Sequence, residues 1–166
     1  MADPDTPVGA DLTHIDADGR ARMVAVADQA VTAREATASR RITMRPATLA
    51  LALSGGGRKG DVRAVAEIAG VMAAKRTSEL IPMCHPLMLT SVKVVVRPTG
   101  DGSGLEATAT ARTQGQTGVE MEALTAASVA LLTLYDMLKA VDSAMVISDL
   151  GLLTKSGGAS GDWRRA

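Results

Sequence analysis

Two periods of apolar residues alternate along this chain, and each change of period marks an element. SVKVVVRP (91–98) alternates, with Val92, Val94 and Val96 together, and LEATATART (105–113) does the same with Leu105, Ala107, Ala109 and Ala111. A period of two lines one face of a strand, and the intervening TGDGSG supplies a turn, so the pair predicts an antiparallel hairpin. From Asp61 to about Leu80 the spacing becomes three and four, which predicts a helix with Val62, Val65, Ala69 and Met72 on its stripe. Ala64, Ala66, Gly70, Ala73 and Ala74 would keep the rest of that cylinder thin. Met44–Leu53 reads as a short helix with Pro46 in its first turn, and Val119–Val141 as a long apolar one. MVISDLGLLTK (145–155) predicts a last strand, and weaker strand signals fall around 22–26 and 31–44. Helices mixed with antiparallel strands predict an α+β sandwich, its helices on one face of the sheet.

No linker, repeat or low-complexity tract interrupts residues 21–155, which read as a single domain between a flexible leader (1–20) and a flexible Gly-rich tail (156–166). Composition narrows the function classes. Tyr135 and Trp163 are the only aromatic residues among 166, so Ala, Val, Leu, Ile and Met must build the core, and base-stacking platforms are absent. Eighteen basic residues balance eighteen acidic ones, which excludes a generic polyanion binder and a nucleic-acid partner. No uninterrupted apolar run of about 18 residues predicts a membrane span. The acidic, Pro/Gly-rich N-terminus is unlike a signal peptide, and a lone cysteine, Cys84, fits a reducing cytoplasm. The lysines are few: Lys59, Lys75, Lys93, Lys139 and Lys155 stand against thirteen arginines. Where arginine supplies the general charge, each lysine is a candidate for a placed point charge.

Four segments could carry chemistry. SGGGRKGD (54–61) is not a P-loop, because Gly60 follows Lys59; it reads either as an anion cradle before a helix or as a solvated turn capped by Asp61. In KRTSELIPMCHP (75–86), Pro82 and Pro86 bracket Met83, Cys84 and His85, either an active-site edge or a tight loop around a buried thiol. With no second cysteine, a structural zinc site is not expected, and no metal ligands are assigned. Glu120 and Glu122 open the long helix, where the dipole favours carboxylates with or without a catalytic role. Asp136 and Lys139 are three apart and can meet on one face as an ordinary surface ion pair. Glu122 and Asp136 are separated by fourteen residues, roughly 21 Å of helix at about 1.5 Å per residue. If both ends serve one small molecule, the site spans two subunits.

KGDV (59–62), IAGVMAAKRTSELIPMCHPL (68–87), TGVEMEALTAASVALLTLYDMLKAV (117–141) and LLTKSGGASGDW (152–163), in this order and spacing, resemble the MoaC family of molybdenum cofactor biosynthesis. The resemblance runs from about Leu12 to Gly161. It implies a ferredoxin-like α+β fold and a homohexamer, a trimer of dimers, with active sites at the dimer interface. It also implies a lyase, cyclic pyranopterin monophosphate synthase. The substrate would be 7,8-dihydro-GTP cyclised between carbon 8 and carbon 3′, and the products cyclic pyranopterin monophosphate and pyrophosphate. No cofactor is firmly implied beyond Mg²⁺ accompanying the triphosphate.

By position, the resemblance assigns Lys59, Asp136 and Lys139 to the catalytic set. Met83, Cys84, His85, Glu120 and Met121 match substrate contacts, Lys75, Glu122 and Lys155 match further pocket residues, and Arg34 is a lesser candidate. Lys59, Lys75, Arg76, Lys139 and Lys155 would offset a triphosphate. Clustered lysines would also depress one another's pKa, preparing one as a base. One position departs from the pattern: the family's MVDVS is MVAVA here, with Ala25 in place of the aspartate. The alternative this raises is a catalytically weakened paralogue that binds nucleotide or serves as an oligomeric partner.

Overall fold

The computed structural model describes residues 12–55 and 61–166; residues 1–11 of the expected leader, and 56–60 with Lys59, lie outside the described residues. The elements are β1 (Thr32–Thr43), α1 (Pro46–Ser54), α2 (Val62–Ala74), α3 (Thr77–Leu80), β2 (Leu89–Pro98), β3 (Gly104–Gly115), α4 (Glu120–Leu138), β4 (Val146–Ser156) and β5 (Trp163–Arg164). The sheet runs β2-β3-β1-β4-β5, with every neighbour antiparallel. That is the ferredoxin-like βαββαβ order, with the short β5 added at one edge inside the segment read as tail. α2 and α4 pack against each other and on one face of the sheet.

Alternation along the strands explains the core. Val94 and Val96 of β2, Leu105, Ala107, Ala109 and Ala111 of β3, and Ala36, Ala38 and Ile42 of β1 turn toward the helices and are buried. α4 answers with Ala123, Ala126, Ala127, Ala130, Leu131 and Leu134, all without exposed surface. Among the described residues α4 is long and apolar enough to cross a membrane, yet much of it is enclosed by sheet and α2. Alanine-rich faces let helix and sheet approach closely in a core that has almost no rings to fill it.

α2 is oriented differently from the expected stripe. Its buried residues are Val62, Ala66, Gly70, Ala73 and Ala74, whereas Val65, Ile68 and Met72 are exposed. The cause is proximity to α4 and β2: a β-carbon at Gly70 would lie 2.9 Å from the carbonyl oxygen of Ala126 and 3.1 Å from both γ-carbons of Val94. Only the small face fits so close a contact, so the larger side chains turn outward. The expected single helix to Leu80 is also divided. Thr77 Oγ1 donates to the carbonyls of Ala73 and Ala74 at 3.3 and 3.1 Å, satisfying the end of α2 where α3 begins.

The strand signal at 31–44 corresponds to β1, the central strand, but 22–26 forms no strand. Backbone groups near it pair locally, Arg22 N with His14 O at 2.8 Å and Asp16 N with Arg20 O at 2.9 Å, which removes them from the sheet ladder. At the opposite end of the fold, buried Asp142 accepts from Arg45 N and Thr48 Oγ1, both at 3.0 Å. A carboxylate from the loop after α4 thereby anchors the start of α1, where the helix dipole favours a negative charge, and ties it to the C-terminal end of α4.

Candidate active site

A cleft of about 340 Å³ opens at the N-terminus of α4. Three segments build it. The loop between α3 and β2 contributes Met83, Cys84 and His85; its turn is closed by Cys84 N donating to Ile81 O at 3.0 Å. Thr117, Gly118 and the first turn of α4, Glu120, Met121 and Glu122, form the floor. His14, Val24, Val26 and Gln29 of the N-terminal segment complete the wall, so both histidines of the chain face one cavity.

The acids in this cleft differ in environment. Glu122 is only 4% exposed, and its Oε2 has no hydrogen-bond partner. Burial pushes its pKa up to about 7, the charge of Glu120 adds to the rise, and the residue's own backbone N–H opposes it. Burial also raises the Cys84 thiol, with the Glu122 charge as a second cause, so Cys84 is kept as a neutral thiol rather than an activated nucleophile. Glu120 is partly exposed and reaches Lys155 of β4, Nζ to Oε1, at 3.3 Å. A carboxyl poised near neutrality beside a paired carboxylate can exchange protons with a bound molecule while the second holds its charge.

Asp136 and Lys139 lie elsewhere, at the C-terminal end of α4, with Lys139 Nζ 2.7 Å from Asp136 Oδ1. The hydrogen bond and charge of Asp136 raise the lysine's pKa. The lowering expected of a clustered lysine is therefore not found here, because the nearest ionised partner is an acid. Lys75, the C-cap of α2, and Arg76 are exposed and do not line the cleft. Arg34 is occupied in the scaffold: its Nε donates to Gly115 O and its Nη2 to Gln116 O, both at 2.9 Å. Asp61 caps α2 by accepting from Arg63 N and Ala64 N, while Lys59 lies outside the described residues. One chain thus gathers Met83, Cys84, His85, Glu120, Met121 and Glu122 in one cleft, with Lys155 at its edge. It holds Asp136 and Lys139 apart from them by the length of α4.

Residues 23–158 match the MoaC family. The chain belongs to the MoaC family. It is 61% identical over 154 residues, 93% of each chain, to the cyclic pyranopterin monophosphate synthase of Chloroflexus aggregans (strain MD-66 / DSM 9485). It is 60% identical over 155 residues, 93% of this chain and 95% of the relative, to the protein of that name from Chloroflexus aurantiacus (strain ATCC 29366 / DSM 635 / J-10-fl).

Several residues of the cleft carry no signal in periodicity or spacing. His14, Val24, Val26 and Gln29 come from a segment with little regular structure, and its attachment is a side chain far along the sequence. Gln116 Nε2 donates to Ala27 O and Gln29 O, each at 3.0 Å, and the carbonyl of Gln116 is itself held by Arg34. Ala25 is exposed between Val24 and Val26, which line the cleft, so the departure from the family pattern is not part of this chain's cleft wall.

Proposed function

We infer that this chain is a lyase, a cyclic pyranopterin monophosphate synthase of molybdenum cofactor biosynthesis. It converts the cyclised 7,8-dihydro-GTP to cyclic pyranopterin monophosphate and pyrophosphate. The observation that carries this reading is the identity of about 60% across 93% of the chain with relatives of that name. The acid, thiol and imidazole grouped at the start of α4 suit the chemistry.

In this reading the imidazole ring opens and a pyranopterin closes by successive proton transfers. Glu122, with its pKa raised to about 7, gives and takes protons near neutral pH, and the imidazole of His85 lines the same cleft. Asp136, at the far end of α4, serves as a further acid or base, and Lys59 and Lys139 complete the catalytic set. A sugar hydroxyl then attacks the α-phosphorus: the new oxygen–phosphorus bond forms, the bond to pyrophosphate breaks, and the hydroxyl proton passes to a base. Lys59, Lys75, Lys139 and Lys155 offset the triphosphate charge, and Mg²⁺, where present, enters as part of the substrate.

Since α4 separates Glu122 from Lys139, one complete site draws on two chains. This favours active sites at a dimer interface, and the reading completes the assembly as a homohexamer, a trimer of dimers, working in the cytoplasm. The exposed Val65, Ile68 and Met72 of α2 and Leu132 of α4 give the chain apolar surface suited to such contacts. The test is direct: the purified chain supplied with the cyclised dihydro-GTP should release pyrophosphate and form the pyranopterin. Turnover no greater than that of Lys59→Ala would overturn the reading in favour of a nucleotide-binding paralogue.

A further inference from the structure

Gly118 stands two residues before Glu120, and its φ is not left-handed, so its backbone would accept any residue. What a side chain there would meet is a single group, the end of one flexible side chain. A β-carbon built there would overlap the carboxylate of Glu120, lying 2.7 Å from its Cδ and 2.9 Å from Oε1; the three nearest atoms all belong to that group. Glu120 therefore folds back over the loop instead of projecting freely from the first turn of α4. Folded back, its Oε1 meets Lys155 Nζ at 3.3 Å.

We propose that Gly118 is a positioning residue: by withholding a side chain it seats the Glu120 carboxylate against the loop, between the cleft and Lys155. The proposal rests on reading the cleft as the substrate site. A β-carbon at position 118 would turn the carboxylate toward the cleft or solvent. Two consequences follow from that displacement. The pair with Lys155 opens, which frees the ammonium, and a negative charge moves relative to Glu122, whose proton affinity Glu120 helps to raise. Gly118 acts on the reaction only through Glu120, and this separates it from a residue that merely shapes the loop.

A double-mutant cycle tests this. Gly118→Ala is made in the natural chain and in Glu120→Ala, kcat and KM are measured with the cyclised dihydro-GTP, and the Glu122 carboxyl is titrated by carbon-13 NMR. Gly100→Ala is the control, since a β-carbon there meets nothing within 4 Å. Gly118→Ala should lower kcat/KM about ten-fold or more in the natural chain and by less than about two-fold in the Glu120→Ala background. The Glu122 titration midpoint should shift in Gly118→Ala, up if the carboxylate turns into the cleft and down if it turns to solvent, and stay put in Gly100→Ala. Equal losses in both backgrounds, or no loss in the natural chain, would overturn the proposal. If Gly118→Ala alone misfolds, folding of the double variant supports crowding by Glu120, and misfolding of both overturns it. If the natural chain shows no turnover, the functional reading fails separately. The titration then decides: a shifted midpoint supports the positioning role and an unmoved one overturns it.

Discussion

Lys155 Nζ lies 3.3 Å from Glu120 Oε1, a contact that ties the end of β4 to the first turn of α4. The side chains are 30% and 31% exposed, so the pair contributes about 0–1 kcal/mol to stability. Its larger effect is on ligand charge. Lys155→Met should change Tm by less than about 4 °C. If the ammonium contacts phosphate, the same substitution should raise KM about 10- to 100-fold. Calorimetry beside steady-state kinetics checks both arms, and a large stability loss with unchanged KM would assign Lys155 to the scaffold.

Glu122 makes stability depend on pH in an unusual direction for a carboxyl. Its folded pKa of about 7 exceeds its ordinary value of 4.5, so the folded chain holds more proton than the unfolded chain between them. The group's contribution is fully present below about 4.5 and is lost as pH rises toward 7. Glu122→Gln cannot ionise, so relative to the natural chain it should gain about 1–3 kcal/mol between pH 5 and 8. Urea unfolding at several pH values measures the difference, and parallel pH dependences would show that Glu122 titrates normally.

His85 and Lys139 lie at opposite ends of α4. If each active site takes one from either chain of a dimer, His85→Ala and Lys139→Ala should complement each other. A random mixture places half the dimers in the hybrid form, with one intact site of two, so activity should return to about a quarter of the natural level. Mass spectrometry would establish that subunits had exchanged, and exchange without recovered activity would place both groups in one chain's site.

Gly70 faces the backbone of α4 so closely that a β-carbon would lie 2.9 Å from Ala126 O. Backbone cannot move aside as a flexible side chain can. Gly70→Ala should destabilise the fold by about 1–3 kcal/mol despite the gain in helix propensity. A higher Tm would mean that α2 and α4 separate more easily than the alanine-lined contact implies.

The hairpin 91–113 and the long helix were legible because their side chains alternate or recur in step with the element they form. α2 shows the limit of that reasoning. Val65, Ala69 and Met72 make a convincing apolar stripe, but burial went to Ala66, Gly70 and Ala73, since contact distance selected small residues over hydrophobic ones. The N-terminal wall of the cleft was equally hidden. Val24 and Val26 are placed by a hydrogen-bonded chain from Arg34 through Gln116 to Ala27 and Gln29, and no local pattern encodes a link across more than eighty residues.

The sequence by itself determined the main strands and helices, the family resemblance, and the balance of eighteen charges of each sign. Those follow from side-chain period and residue chemistry, which are properties of the chain. Tertiary structure alone decided that Glu122 is the acid held protonated near neutrality and that Lys155 meets Glu120, whereas the Asp136–Lys139 pair already followed from a spacing of three on one helix. Burial isolates Glu122 from solvent, while Glu120 and Asp136 hold ammonium partners from β4 and the end of α4. Dielectric and distance set those states, and both depend on what the fold brings together.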